Sequence, residues 1–204
     1  MAGILVGLAA IAVGPYLIAS AQRRELQRGS GVAELTRRVP TVTVDGFTAR
    51  PATPADVDRA IESMDRTFLQ SNGWTNKMRS AAVKHLRRKD PGELGYVSVC
   101  RSDALVIGWG VVDGVAADQL RCSLGFSLHP AARSRGLGTG ALNAVVQSLH
   151  QAGIRTIELG TAQSNEAMVK CITNVGAVQV RQGRTRLPDG SEPMSLWFEH
   201  TADQ

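Results

Sequence analysis

The chain has 204 residues, of which 43% are hydrophobic and only 4% aromatic, and 23 Lys and Arg against 18 Asp and Glu leave a formal net charge of +5. That apolar share is too high for a disordered chain, and about 160 residues suffice for one buried core. Three widely spaced cysteines, Cys100, Cys122 and Cys171, make neither a disulfide set nor a zinc pattern, so reduced thiols and no metal site are expected.

The chain opens on residues 2–22, which carry no charged side chain and are rich in Ile, Leu, Val, Ala and Gly. About 20 such residues in a helix reach about 30 Å, the thickness of a bilayer's hydrocarbon core. Residues 1–22 are therefore predicted as a transmembrane-type helix kinked at Pro15, with Gly3 and Gly7 as a small-xxx-small pair. Arg23, Arg24, Arg28, Arg37 and Arg38 follow, against Glu25 and Glu34, so the positive-inside rule leaves the C-terminal body in the cytoplasm. Residues 23–45 read as a basic juxtamembrane linker, flexible around Gly29-Ser30-Gly31. Alternatives stay open. Ala19-Ser20-Ala21 has the form of a signal-peptidase site, although the basic segment that precedes a signal core is missing, and the segment also suits a helix buried in a protein partner. Besides an anchored body, a body soluble in the cytoplasm or part of a membrane complex stays open. The positive charge invites nucleic acid, but the arginines concentrate beside the apolar segment and in a loop described below, where anionic lipid and a phosphate ligand account for them.

From residue 46 the pattern becomes α/β. Phe47-Thr48-Ala49-Arg50-Pro51 reads as a strand. Thr53 then caps a helix with Pro54 in its first turn and Asp56 completing a capping-box pattern, and Val57, Ile61, Met64 and Phe68 form one buried face. A polar turn at Ser71-Asn72-Gly73 precedes a basic amphipathic run over residues 77–89, stopped by Pro91-Gly92. Its His85, Arg87, Arg88 and Lys89 suit a solvated helix face better than a channel for an acidic substrate. Residues 96–100 and 106–112 read as strands joined by a turn at Ser102-Asp103, and residues 122–128 form the next strand.

That strand runs past Pro130 into Arg133-Ser134-Arg135-Gly136-Leu137-Gly138-Thr139-Gly140, after which Leu142, Val145, Val146 and Leu149 fall at helical spacing up to Gly153. A strand thus feeds a glycine loop that opens a helix. Glycines allow close backbone approach, and the free N–H groups at the helix start favour an anion such as pyrophosphate. The chain continues with a strand over residues 156–159 and a helix over residues 165–175 with Met168, Cys171, Ile172 and Val175 inward, stopped by Gly176. A hairpin closes it, turning at Leu187-Pro188-Asp189-Gly190 and returning through residues 194–198.

The order Arg-x-x-Gly-x-Gly at Arg133 to Gly138 matches neither the Walker loop nor the dinucleotide fingerprint. It resembles motif A of the GNAT superfamily, the acyl-CoA-dependent N-acyltransferases, and the resemblance extends from Phe47 to Glu199 with elements in the family's order. It implies a mixed, mostly antiparallel central sheet flanked by helices over residues 46–204, preceded by the apolar helix. It also implies acetyl transfer from acetyl-CoA to a primary amine of a protein or small molecule by direct attack on the thioester. In that reading the N–H groups from Arg135 to Gly140, with Ser134 and the Arg133 side chain, hold the pyrophosphate. The main chain at Phe126, Ser127 and Leu128, where strands splay, takes the pantetheine and the developing oxyanion. Asn165 binds the pantetheine arm, a role compatible with capping the helix it opens.

The chain departs from the family at the proton-transfer positions. Ser123 falls where many members place a glutamate, and Ile172 where many place a tyrosine. Glu158, Asp118 and His129 are the candidate bases, acting directly or through water, and Cys171 or Ser127 the remote candidates for the acid. Acceptor choice would lie in residues 70–93 and in the final hairpin. The departures raise a second reading, a GNAT-like coenzyme-binding or non-catalytic module acting as a subunit or regulator of a membrane protein assembly, or within a homo-oligomer.

Overall fold

The structure, a computed structural model, describes residues 26–27, 30–101, 105–116 and 118–202. Its strands are β1 (Leu26–Gln27), β2 (Val42–Val44), β3 (Phe47–Pro51), β4 (Tyr96–Arg101), β5 (Val106–Ala116), β6 (Arg121–Leu128), β7 (Thr156–Ala162), β8 (Val178–Arg184) and β9 (Met194–Thr201). The helices are α1 (Ser30–Arg38), α2 (Val57–Ser63), α3 (Arg66–Ser71), α4 (Asn76–Leu86), α5 (Gly138–Gln151) and α6 (Glu166–Asn174). The sheet runs β2-β3-β4-β5-β6-β7-β9-β8, with β1 added to the end of β5. Every pairing is antiparallel except β6 with β7. The expected mixed, mostly antiparallel sheet flanked by helices is what the chain forms. The expected turn at Ser102-Asp103 lies outside the described residues.

Two apolar cores sandwich the sheet. On one face α5 contributes Ala141, Leu142, Val145, Val146 and Leu149, each 0% exposed, against Val97, Val99, Cys122, Leu124, Ile157 and Leu159. On the other face α2, α3 and α4 bring Ala60, Met64, Phe68 and Leu86 onto Tyr96, Trp109 and Val111. Burying each Val, Leu, Ile, Met or Phe among them contributes about 1.5–3 kcal/mol.

Residues 30–44 correct the expectation of a linker. They form α1 and β2, and Val32, Leu35 and Val39 enter the α5-side core, Leu35 at 0% exposure. Their spacing at i, i+3 and i+7 is that of one helix face. The predicted membrane helix over residues 1–22 lies outside the described residues, and no helix among the described residues is long and apolar enough to cross a membrane.

The single helix expected after Thr53 is instead two. Pro54–Asp56 forms a 3₁₀ turn, α2 follows, and the chain breaks at Met64, where φ −80° and ψ 51° leave the helical region. Asp65 then caps α3, its Oδ1 accepting from the Phe68 N–H at 2.9 Å. Asp56 accepts from the Thr53 N–H at 2.8 Å as the capping-box pattern predicts, but it also pairs with both terminal nitrogens of Arg50 (2.7 and 2.9 Å) and accepts from Ser98 Oγ at 3.0 Å. Burial alone would raise that carboxyl, but the Arg50, Thr53 and Ser98 hydrogen bonds outweigh it and hold it below the usual carboxylate range.

Candidate functional site

Parallel pairing between β6 and β7 lasts for three rungs, Arg121↔Thr156, Cys122↔Ile157 and Ser123↔Glu158, and then stops. Beyond it β6 stays paired to β5 as far as Leu128, and β7 stays paired to β9 as far as Ala162. The strands part like the arms of a V, leaving the backbone of residues 124–128 and 159–162 facing a gap. Phe126, Ser127 and Leu128, expected to meet the thioester arm, lie on one arm and are half-buried.

At the open end β6 leads through a 3₁₀ turn, Pro130–Ala132, into the glycine loop. The loop passes twice through the left-handed region, at Ser134 (φ 56°) and Gly136 (φ 72°), which folds it tightly enough to aim α5 back along the sheet. Leu137 is the N-cap of α5, with no side-chain capping bond and no acidic residue in the first turn. The first N–H to bond within the helix is that of Ala141, to Leu137 O at 3.1 Å. The amides of Gly138, Thr139 and Gly140 therefore have no intrahelical acceptor, and the positive end of a 14-residue helix is left without a compensating group from the chain. The other glycines here serve packing. A Cβ on Gly138 would stand 2.6 Å from Cys171 Sγ, and one on Gly140 2.3 Å from the Phe47 ring.

The arginines are disposed differently from the expectation. Arg133 turns inward, donating from Nη1 to Asp65 Oδ2 (2.7 Å), from Nη2 to Ser63 O (3.2 Å) and from Nε to Leu128 O (3.0 Å). It is committed to the α2–α3 break. Asp65, which burial would raise, is held below the usual carboxylate range by Arg133 and the Phe68 N–H. Arg135 stays exposed at the loop and reaches Ala131 O at 3.4 Å. Asn165 stands at the start of α6 as its cap, accepting from the Met168 N–H at 3.3 Å.

The candidate bases fall in separate places. His129 is 8% exposed, its Nδ1 accepts from the Ala131 N–H, and Nε2 therefore donates to Glu62 Oε2 at 3.0 Å. Both ring nitrogens are occupied, one within the turn and one on α2. Asp118 is exposed and accepts from the Leu120 N–H at 2.9 Å, at the end of β6 remote from the glycine loop. Glu158 alone stands at the apex of the V, 6% exposed, on the last rung with Ser123. Its Oε1 and that of Glu199 share Arg121 Nη1, at 2.5 and 2.9 Å. Ile172 is 1% exposed inside the core, so no side chain there faces the gap.

Alternation of side chains sets what the gap opens onto. Through the rungs Trp109↔Ser127, Val111↔Gly125, Ser123↔Glu158, Glu158↔Glu199, Gly160↔Trp197 and Arg181↔Trp197, these residues share the face opposite α5. At the mouth that face carries Gly125 and Gly160, which add no side chain to it. Trp197 is stacked under the Arg181 guanidinium at 3.8 Å. Across this face the β8–β9 loop packs on the α3–α4 turn: a Cβ on Gly73 would lie 2.6 Å from Leu187 Cβ and 2.9 Å from Asp189 Oδ1. Among the described residues, the buried side-chain donors without a partner are Trp74 Nε1, Trp109 Nε1, Trp197 Nε1 and Arg181 Nη2, all on this side of the sheet. Sequence reasoning missed this lining, because only strand register brings Trp109 and Trp197 to one face. The basic cluster is solvated, with Arg87, Arg88 and Lys89 exposed. No group of three or more His, Cys, Asp or Glu suited to a metal occurs among the described residues.

The Acetyltransferase (GNAT) domain family matches residues 46–178. No curated protein matches the chain. Among solved structures it resembles an acetyltransferase of the GNAT family from Bacillus anthracis, with a TM-score of 0.65 and 11% identity over 79% of this chain and 98% of that one. It also resembles a ribosomal-protein-S5-alanine acetyltransferase from Vibrio fischeri, with a TM-score of 0.64 and 15% identity over 81% of this chain and 98% of that one. The YncA protein of Salmonella typhimurium, solved with its cofactor acetyl-CoA, has a TM-score of 0.62 and 17% identity over 78% of this chain and 95% of that one.

Proposed function

The chain belongs to the GNAT family of acetyltransferase domains, and on that premise we propose that it moves an acetyl group from acetyl-CoA to a primary amine by direct attack on the thioester. The observation that carries the reading is the continuity of the β6–β7 gap with the uncapped start of α5. An extended thiol arm fits the gap, and a pyrophosphate fits the free amides of Gly138, Thr139 and Gly140 with Arg135 beside them. The face opposite α5 would receive the amine. There Glu158 and Glu199 share one arginine, so the cluster keeps one negative charge in excess, which favours an ammonium ion on approach.

Of the candidate bases, Glu158 is the one we assign, through a water or directly, because it alone stands at the apex of the gap. It would take the proton that the ammonium must lose to become a nucleophile and pass it to solvent. Main-chain N–H groups of residues 126–128 would meet the oxyanion formed on attack, and the second proton, lost by the nitrogen as the C–S bond breaks, would reach the departing thiolate through water. Glu158→Gln should lower kcat by about 10²–10⁴-fold while acetyl-CoA affinity holds. A second reading, a coenzyme-binding module without catalysis, is favoured by Ser123 and the buried Ile172, which put no proton carrier at the two positions where many family members have one.

Calorimetric titration of acetyl-CoA into the full chain, followed by thiol release with spermidine, free lysine and a peptide beginning with alanine, tests both. Binding with amine-dependent thiol release supports the transferase; binding without release from any amine supports the module; no binding overturns both. The membrane anchor over residues 1–22 rests on composition alone. Fractionation of cells expressing the full chain checks it: recovery in the soluble fraction overturns it.

A further inference from the structure

The loop expected to reach outward for phosphate is tied inward to the other side of the site. Residues 128–133 meet residues 62–65 through His129 Nε2 to Glu62 Oε2 (3.0 Å), Arg133 Nη1 to Asp65 Oδ2 (2.7 Å) and Arg133 Nη2 to Ser63 O (3.2 Å). The same guanidinium holds Leu128 O at 3.0 Å, the last residue of the β6 arm of the gap. Ser63 and Asp65 flank the point where α2 stops and α3 starts, a stretch with few intrahelical bonds to hold it. Met64 O, between them, is held by Arg79 Nε at 2.8 Å from α4. A planar guanidinium with donors on three nitrogens is what such a joint needs, since a lysine supplies the charge but not the fork.

We propose that Arg133 is a positioning residue that fixes the α2–α3 break, a wall of the amine side, to the β6 arm and the coenzyme loop, and is not a phosphate ligand. The loop and that wall then move as one body, so coenzyme held at the loop orders the wall before the amine arrives. This rests on reading the loop as the coenzyme site, but its structural half does not. Removing the guanidinium frees the break without touching the amides of Gly138, Thr139 and Gly140.

The test combines acetyl-CoA titration with amide hydrogen exchange of residues 64–71 in the full chain, for Arg133→Ala, Arg133→Lys and Asp65→Asn. Asparagine keeps the cap of α3 and loses only the charge pair. Acetyl-CoA affinity should fall by less than about threefold in Arg133→Ala, whereas exchange in α3 should rise by about tenfold or more, with a smaller rise in Asp65→Asn, which keeps the bonds to Ser63 O and Leu128 O, and no further rise over Arg133→Ala in the double variant. Arg133→Lys should restore only part of the protection. For any amine that turns over, its KM should rise with kcat little changed. A loss of acetyl-CoA affinity of about tenfold or more in Arg133→Ala with unchanged exchange in α3 would overturn the proposal, because the guanidinium would then be acting on the phosphate. If Arg133→Ala does not fold, Asp65→Asn and Arg133→Lys decide it by the same exchange. Failure of the wild type to bind acetyl-CoA sinks the coenzyme reading alone and leaves the exchange result to judge the joint.

Discussion

Gly140 shows how a residue picked out for one reason is held by another. Its place in the motif suggested contact with phosphate, whereas in the fold its missing Cβ admits the Phe47 ring at a distance no side chain tolerates. Gly140→Ala should therefore cost about 1–3 kcal/mol of stability, read from the urea midpoint, with acetyl-CoA affinity falling less than stability does. Asp56 shows the complementary case: its capping role was legible from Thr53 and Pro54, but the pairing with Arg50 and Ser98 required knowing that β3 and β4 lie side by side. Its folded-state carboxyl lies below its unfolded value of about 3.9, so the pair contributes fully above that value and its contribution is lost as pH falls through the folded one. Stability measured by urea should hold from pH 7 to about 5 and fall below about 4, and Asp56→Ala should cost about 3–5 kcal/mol at pH 7 while flattening that fall. Among the site residues, Glu158 was legible as a titratable group on a strand, but its place at the apex of the gap depends on where β6 and β7 stop pairing.

The strands from β3 onward and the long helix were legible from their apolar runs, while β1 and β2 fell inside the expected linker; α5 and β6 sit where their spacing put them. Helix α1 was not, since a nine-residue helix beginning Ser-Gly with three apolar anchors looks like a tether until the sheet it packs on exists. Leu35→Ala should cost about 2–5 kcal/mol by thermal or urea unfolding, and a chain cut at residue 41 should unfold more easily than one cut at residue 30. At the other helix of interest, Thr139→Asp separates two consequences of one charge. A carboxylate in the uncapped first turn of α5 should raise stability of the free protein by about 0.3–1 kcal/mol while weakening acetyl-CoA by about tenfold or more. A tighter complex in that variant would remove the helix start from the site.

At the scale of the molecule, the sheet divides the work: α5 and its core close one face, and the other is only partly covered by α2–α4 and by the β8–β9 loop that comes to rest on Gly73. Which face would take the proposed amine could not be read from spacing, because the face onto which the gap opens is set by the crossovers that place β7 beside β6 and β9 beside β7. The gap between β6 and β7 has a colloidal consequence as well. It is an edge in the middle of a sheet, two rows of peptide groups that another extended chain could join as readily as a thiol arm could. Ligand in that slot would act as a stopper against self-association, so warming the free protein should raise light scattering earlier, and more steeply with concentration, than warming it with saturating acetyl-CoA.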